Sequence, residues 1–447
     1  MSIPAALAAH AWPTLRLAGP VMMQRAGSLM LVTVDTVMTG RAGVEALAHL
    51  GIGMAPQLMV QMVVLGLLFG TAVLTAQAYG AGEAGRCGAI WRTALLHGLV
   101  IGLGAAALCP FGEALFLAIG YPEALAKGAG EVLTASAIGM PAILLAVATT
   151  FFLEAVHRPT PGMIAMLLGN LVNVGLNWLL IYGEAGFPAM GAAGAVWATT
   201  IVRWLIALGL IAYVLVMAEG ARFGVRSFDI STEVGRRLRR LGYPYGVAFG
   251  SETIAFQGLV IAAGYLGTEA VASYQIVMNL VILVFMVAIG LSTATAVRVG
   301  NAVGAGDRAG RNAAAWTGVA MTFGAMALFS VLFASIPDGL MALYTPDAGL
   351  RAAAMAPMAV ACFLLPFDGA QAALSSALRG AGDIWTTTAL AVLAFWAVMI
   401  PTALVLAFAL ELGPAGLLGG ALAGVLAASL GFGLRLRRVL NKPAIRL

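Results

Sequence analysis

Residues 217–241 read MAEGARFGVRSFDISTEVGRRLRRL, and this basic stretch divides the chain into two apolar parts. It carries six arginines: Arg222, Arg226, Arg236, Arg237, Arg239 and Arg240. On both sides of it, apolar runs of about 20 residues recur, which is the length that a helix needs to cross a bilayer. We therefore predict an N-terminal lobe over residues 1–217, a basic cytoplasmic linker over 218–241 and a C-terminal lobe over 242–447.

The composition excludes an ordinary soluble protein. Of the 447 residues, 61% are hydrophobic and 10% are charged, whereas about a quarter of a soluble domain is charged. About a dozen membrane-length runs are too many for one soluble core, so we predict a multi-pass protein of the plasma membrane (the inner membrane in a bacterium) surrounded by lipid. The positive charge lies in loops between the spans, which does not favour a nucleic-acid partner.

Glycine, proline and charge positions predict an all-α fold of twelve transmembrane helices. The expected ranges are 14–39, 46–78, 92–112, 130–154, 162–183, 190–217, 243–266, 271–300, 313–335, 351–377, 384–410 and 414–435. Lysine and arginine lie mainly in the even-numbered connectors and the C-terminal tail, with 18 residues there against 3 in the odd-numbered connectors. Because cytoplasmic loops carry the excess of basic residues, both termini are expected in the cytoplasm.

The two halves of the chain resemble each other at one constant offset along the sequence. The matching pairs include Pro20 with Pro244, Gly43 with Gly267, Glu45 with Glu269 and Gly82 with Gly306. Two copies of six helices have the same orientation in the membrane and are related by an axis along the membrane normal. Transporters are commonly built in this way, so the repeat predicts two pseudo-symmetric six-helix lobes with a site between or within them.

The polar residues contain no catalytic pattern. Residues 80–85 fit G-x-G-x-x-G, but that dinucleotide fingerprint requires a preceding strand, so we interpret it as a tight cytoplasmic turn between two helices. The four histidines are scattered, and the sequence has neither a Walker A motif nor a nucleophile–base set nor a metal triad. We therefore expect no enzyme, no cofactor and no use of ATP by this chain.

Two acidic residues of the second half lie at the same expected depth in the membrane. Glu252 follows Arg240, and Asp368 precedes Arg379, by about three helical turns in each case. At about 1.5 Å per residue, both lie roughly 16–18 Å from the cytoplasmic end. Carboxylates close together trap a proton or share a cation, so we predict an ion-coupling site here, with Na⁺ as one candidate ion. The alternative is that a helix end or a hydroxyl neutralises each acid separately.

A second polar cluster is expected in the first half. Arg16 and Arg158 mark the expected cytoplasmic ends of their helices. Asp35 follows Arg16 by the same number of residues as Asn177 follows Arg158, so both are expected at the same depth. Asn173 lies one turn before Asn177 on the same helix face, and Thr199 has a similar depth in the next helix. Oxygen ligands of this kind suit a hard cation or a proton relay.

We therefore predict an ion-coupling and substrate site at Asp35, Asn173, Asn177 and Thr199, with Na⁺ as one candidate ion at the first three. The alternative is a helix contact made by the asparagines.

The carboxylates are not repeated, although the scaffold is. At the offset of the repeat, Asp35 corresponds to Leu259, and Glu252 corresponds to Ser28. Acids that only joined helices would be expected in both copies. The asymmetry therefore favours a functional role.

Two arginines also fall within predicted spans, Arg25 and Arg203. Arg203 either pairs near the first-half cluster or extends its charged head to the membrane interface. The sequence leaves both alternatives open and assigns no role to Arg25. Glu154 is expected to end a helix.

Several of these residues resemble a known transporter family. Val34-Asp35-Thr36, Gly40 and the run 45–48 (Glu-Ala-Leu-Ala) are similar to the first helix of the MATE family, the multidrug and toxic compound extrusion proteins. Pro244 with Glu252 resembles the seventh helix of the NorM-type branch. Residues Asp368, Gln371 and Leu378-Arg379-Gly380 resemble the tenth helix of that branch. Two departures are Leu364, where relatives often carry tyrosine, and Arg158-Pro159-Thr160-Pro161, where a glycine-rich turn is usual.

The resemblance implies a monomeric twelve-helix antiporter that works by alternating access. It would export small cationic or zwitterionic amphipathic drugs against inward Na⁺ or H⁺, with no cofactor besides the coupling ion. The alternative function is a flippase for a lipid-linked oligosaccharide in the same broad superfamily. A flippase of this kind would favour a basic cavity, whereas the predicted intramembrane clusters are acidic.

Overall fold

The computed structural model describes residues 3–227 and 230–443, with side chains from His10 onward. Phe228 and Asp229 of the predicted linker, and Arg446 of the basic tail, lie outside the described residues. Every regular element of the described part is helical, and its long helices are α1 Ile3–Ala42, α2 Val44–Gly80, α3 Ala84–Ile119, α4 Glu123–Ala137 with Gly139–Ala155, α5 Thr160–Tyr182, α6 Gly191–Val216, α7 Thr232–Tyr265, α8 Thr268–Ala305, α9 Arg308–Ser335, α10 Ala348–Gly380, α11 Ile384–Ala409 and α12 Gly413–Asn441. The prediction of an all-α fold with twelve helices is confirmed.

Most of these helices have the length and apolarity of membrane spans. Within the described residues ten helices qualify, and eleven do when the two halves of α4 are counted as one span. The halves of α4 meet at Ile138 with a bend of 42°. The remaining long helix, α1, has 40 residues and contains Pro13 and Pro20. Helices suit this environment because they satisfy their own backbone hydrogen bonds in lipid.

The predicted helix ends differ most at the starts of α1 and α7, and the second of these differences lies in the linker. Helix α7 begins at Thr232, whereas the sequence predicted a start near residue 243. One face of this start of α7 buries Val234 and Leu238, while Arg236, Arg239 and Arg240 remain exposed. The apolar face explains why the chain is helical here despite its charge.

The earlier part of the linker packs on the first half of the chain. Phe223 is 3% exposed, and its ring lies edge-on against Phe152 with 5.7 Å between ring centroids. Arg92 donates a hydrogen bond to the carbonyl of Gly224. Because its aromatic side chain is buried and its backbone is bonded, this segment is a structured part of the lobe.

The internal repeat is visible in the backbone. Gly43 and Gly267, which connect the first and second helix of each copy, have φ values of +147° and +108°. Gly82 and Gly306, in the next connector of each copy, have φ values of +78° and +71°. Glycine adopts such conformations without steric cost. The matching glycines therefore form equivalent turns in both copies, as the pseudo-symmetric lobes predict.

Helices α1 and α7 each belong to two packing units. One unit is Met23–Gly246, and the other contains the described residues up to Met22 and from Val247 onward. Thus the start of α1 packs with the second half of the chain, and the start of α7 packs with the first. The predicted lobes 1–217 and 242–447 follow the copies of the repeat. The packing units instead have their boundaries inside α1 and α7.

These exchanged helix starts make equivalent close contacts. A Cβ atom on Gly66 of α2 would lie 2.5 Å from the Cα of Gly246, which is too close. In the other unit, a Cβ atom on Gly290 of α8 would collide with the side chain of Met22. Gly66 and Gly290 are equivalent in the repeat, as are Met22 and Gly246. Small residues let helix backbones approach closely in membranes.

Close packing also brings α5 against α1. A Cβ atom on Gly27 would lie 2.7 Å from the Cγ of Met166, so a larger residue would push the helices apart. Asn170 donates a hydrogen bond of 3.0 Å to the carbonyl of Gly27. This contact lies two turns of α1 before Asp35 and places the next asparagines of α5 beside that carboxylate.

Candidate functional site

Asp35 is buried inside the unit Met23–Gly246, where three neutral side chains donate hydrogen bonds to its carboxylate. Its Oδ1 accepts from Asn177 Nδ2 at 2.7 Å and from Asn173 Nδ2 at 3.2 Å. Its Oδ2 accepts from Thr199 Oγ1 at 2.5 Å. Asp35 is only 7% exposed, and the three donors are more deeply buried.

The helices explain how these donors converge. Asn173 and Asn177 are four residues apart in α5, so both face α1, and Asn177 Nδ2 also lies 3.1 Å from Asn173 Oδ1. Thr199 comes from α6, and its hydroxyl also accepts a hydrogen bond of 3.1 Å from Asn173 Nδ2. Polar side chains in a membrane interior need such partners, since unpaired groups cost several kcal/mol there, about 2–7.

The structure therefore brings together all four residues predicted for the first-half site. The same hydrogen bonds join α1, α5 and α6, which is the geometry expected also for a helix contact made by asparagines. Their assignment to ion coupling and substrate binding stays a prediction.

Glu252 and Asp368 lie in the other unit, on α7 and α10. Both are half-buried, and each carboxylate is within electrostatic reach of the other. Arg379, on α10, attracts Glu252. In the described part of the chain, neither acid has a hydrogen bond or an ion pair shorter than 4.0 Å. The structure thus brings the two predicted residues near each other, and their role in ion coupling stays a prediction.

The surroundings of this pair are mostly apolar. Leu364, one turn before Asp368, is buried in the hydrophobic core, so this position offers no hydroxyl ligand. On α7, the residue before Glu252 is Ser251, and its hydroxyl accepts a hydrogen bond of 2.7 Å from the indole of Trp396 in α11. This bond holds α7 against α11 at the level of the acids.

A third polar cluster, which the sequence did not join together, contains Arg25 and Glu154. Arg25 Nη2 lies 3.5 Å from Glu154 Oε1. Glu154 is 2% exposed at the end of α4, and neither of its oxygens accepts a hydrogen bond. Next to it, Gln24 Nε2 donates to Thr150 Oγ1 at 3.3 Å. The sequence feature that could have predicted this pair is that two residues of opposite charge lie within predicted spans.

The two acidic sites differ in what they can bind. The Asp35 oxygens already accept three hydrogen bonds, so a proton or an incoming cation must compete with or rearrange these donors. The carboxylate oxygens of Glu252 and Asp368 have no such donors in the described part of the chain. Hard cations such as Na⁺ prefer oxygen ligands, and this pair can supply several together with water.

Comparison with known proteins gives matches over both halves of the chain. The sequence model of the MatE family matches residues 20–179 and 244–405. The chain is 35% identical over 408 residues to the "Probable multidrug resistance protein NorM" of Caulobacter vibrioides, covering 90% of this chain and 86% of that protein. It is 30% identical over 432 residues to the "Multidrug resistance protein PmpM" of Pseudomonas aeruginosa, covering 95% and 90%.

A solved structure has the same fold. The crystal structure of the eukaryotic MATE transporter AtDTX14 aligns with a TM-score of 0.88, covering 97% of this chain and 98% of that one. The two sequences are 19% identical. The similarity therefore concerns the twelve-helix architecture.

Proposed function

The chain belongs to the MATE family, in its NorM-type branch, and on this basis we propose that it exports cationic or zwitterionic amphipathic drugs in exchange for inward Na⁺ or H⁺. It is a multi-pass membrane transporter and not an enzyme. The relatives named as multidrug resistance proteins support drug efflux. Coupling to an ion, and the kind of drug, are parts of the proposal.

The observation that carries the proposal is the buried Asp35 carboxylate. It has three neutral hydrogen-bond donors and, among the described residues, no ion pair. A buried charge in this setting is costly, so binding a proton, a metal cation or a cationic drug is favourable. One cation can then leave only as another takes its place, which is the requirement for antiport. Binding of the ion and binding of the drug would favour opposite access states.

A transport measurement tests this proposal directly. Purified protein in proteoliposomes should move ethidium against its gradient when an inward Na⁺ or H⁺ gradient is imposed. The gradient that drives transport identifies the coupling ion. Failure under both gradients, with transfer of a lipid-linked oligosaccharide between leaflets instead, would replace the proposal by the flippase alternative. One copy of the chain should be sufficient, since each acidic cluster is built from a single chain.

We propose that both termini and the linker face the cytoplasm, based on the 18 basic residues against 3 in the connectors. Ser227 lies in the linker, before the start of α7 at Thr232. In a variant with Ser227→Cys, and with its three native cysteines (Cys87, Cys109 and Cys362) replaced, only membrane-permeant thiol reagents should label intact cells. The control is lysed cells, in which the impermeant reagent should also react. Labelling of intact cells by the impermeant reagent would reverse the orientation.

A further inference from the structure

Arg203 is a half-buried charge near the Asp35 site whose position the sequence left open. It lies in the middle of α6, which runs from Gly191 to Val216. Each end of the helix is about 18–20 Å away at 1.5 Å per residue, which is too far for the side chain to reach the interface. Its Nη1 atom is buried and has no hydrogen-bond partner. The alternative of extension to the interface is therefore not realised.

The bend in α4 provides the place for this side chain. A Cβ atom on Gly139, at the bend, would lie 3.5 Å from Arg203 Nη1. On either side of Arg203, Thr200 Oγ1 donates to the carbonyl of Ala135 at 3.4 Å, and Trp204 Nε1 donates to that of Ile138 at 2.9 Å. The neighbours of Arg203 thus satisfy the carbonyls at the bend, whereas Nη1 of the arginine itself stays unpaired.

Arg203 also lies one helical turn beyond Thr199, the residue that donates to Asp35 Oδ2 at 2.5 Å. Arg203 and Asp35 attract each other, but they form no ion pair within 4.0 Å. The other side chains facing Asp35 are neutral: Asn173 and Asn177 from α5, and Thr199 from α6. The charge of Arg203 acts on the Asp35 carboxylate across this distance.

We propose that Arg203 is a positioning residue that sets how readily Asp35 exchanges its cation. This inference rests on the proposed function of Asp35. The positive charge of Arg203 stabilises the ionised carboxylate and repels a proton, a metal ion or a cationic drug that approaches it. Because no direct ion pair ties up the carboxylate, the site remains available. Arg203 thereby keeps cation binding weak enough to be reversible.

The test is the pH dependence of ethidium binding to the purified full-length protein. Arg203→Gln and Arg203→Met remove the charge. Each should move the midpoint of the binding curve to higher pH by about one unit, equivalent to a tenfold change in proton affinity. At pH values above the midpoint, each should bind ethidium about tenfold more tightly. Arg203→Lys should stay near the parent on both measures because it keeps the charge.

Trp204→Phe is the matched control. It removes the hydrogen bond that the next residue of α6 donates to the carbonyl of Ile138, without changing any charge. If the contacts of α6 with the bend are only structural, Trp204→Phe and Arg203→Gln should change the amount of folded protein but leave the midpoint alone. If both neutral Arg203 variants keep the parent midpoint, the inference is wrong.

A double variant separates this inference from the proposed function. When Asp35→Asn is already present, Arg203→Gln should no longer change the pH dependence of ethidium binding, since that effect acts through the Asp35 carboxylate. A pH dependence of binding that Arg203→Gln still shifts in that background would contradict the inference. If Asp35→Asn alone keeps the parent pH dependence, it is the proposed role of Asp35 that fails.

Discussion

Asp35→Asn is expected to abolish ion-coupled drug export while the protein still folds and inserts into the membrane. The asparagine has nearly the same shape, and its carbonyl oxygen can accept a hydrogen bond from Asn177 or Thr199. Its amide nitrogen is a donor that faces another donor, so one of the two loses its acceptor. The resulting local rearrangement should cost about 1–3 kcal/mol. The charge that attracts a cation is lost. A cation partner of a buried charge contributes about 2–5 kcal/mol, so cation affinity should fall by about 30-fold or more.

This effect is measured by ethidium binding to purified protein from about pH 5 to about pH 9. The measurement shows whether the affinity depends on the charge of a carboxylate. The parent should lose affinity toward acid pH, and Asp35→Asn should bind weakly and without this pH dependence. Glu45→Gln is a matched control because it removes an exposed carboxylate, 82% accessible, from the same lobe. Should Asp35→Asn keep the affinity and pH dependence of the parent, Asp35 is structural.

Asn177→Ala distinguishes the charge from its hydrogen-bond donors. Asn177 contributes the 2.7 Å hydrogen bond to Asp35 Oδ1, and its removal leaves Asn173 and Thr199 in place. A hydrogen bond to a charged group is worth about 1.5–3 kcal/mol. We therefore expect export to be weakened but not abolished, so the variant should lie between the parent and Asp35→Asn.

Glu252→Gln and Asp368→Asn are each expected to abolish ion-coupled export as well. The two carboxylates are within electrostatic reach of each other, so a proton or a cation shared between them needs both. Neutralising one acid relieves repulsion with the other, so folding should not suffer. Transport under an imposed ion gradient should fall to the level of empty proteoliposomes, and the double variant should lose no more than either single one.

Asp338→Asn is the control for this pair. Asp338 is an exposed acid of the same lobe, with a side chain 67% accessible and an ion pair of 3.0 Å to Arg351. Surface pairs contribute about 0–1 kcal/mol, so this variant should transport like the parent. Normal transport by either Glu252→Gln or Asp368→Asn would eliminate the second-half site. The apolar Leu364, where relatives often have tyrosine, would then be the first place to look for the reason.

The sequence alone determined the class of the molecule and much of its architecture. Apolar runs of span length predict helices because lipid offers no partner for backbone groups. The constant offset between matching residues predicts the repeat, and the equivalent turns at Gly43 and Gly267 show it. The acids of interest were also identifiable, because an ionisable residue within an apolar span is costly and rare.

Sequence also predicted the depth of each polar residue, because a helix rises by about 1.5 Å per residue. Depth does not say which side of a helix faces which neighbour. The contact of Asp35 with Thr199, 164 residues away, and the pairing of Arg25 with Glu154 follow from the way α1, α4, α5 and α6 pack. Any apolar face can pack on another or on lipid, so the residue pattern alone does not select the partner helix.

Only the tertiary structure decided the position of Arg203 and the boundaries of the packing units. The bend at Ile138 makes room for the Arg203 side chain, and α4 and α6 meet there although α5 separates them in sequence. Likewise, α1 and α7 change packing units at Met22 and Gly246, inside helices that are continuous in sequence. The local sequence of a long helix specifies its periodicity and its ends. Which helices it packs against depends on close contacts at residues such as Gly66 and Gly290.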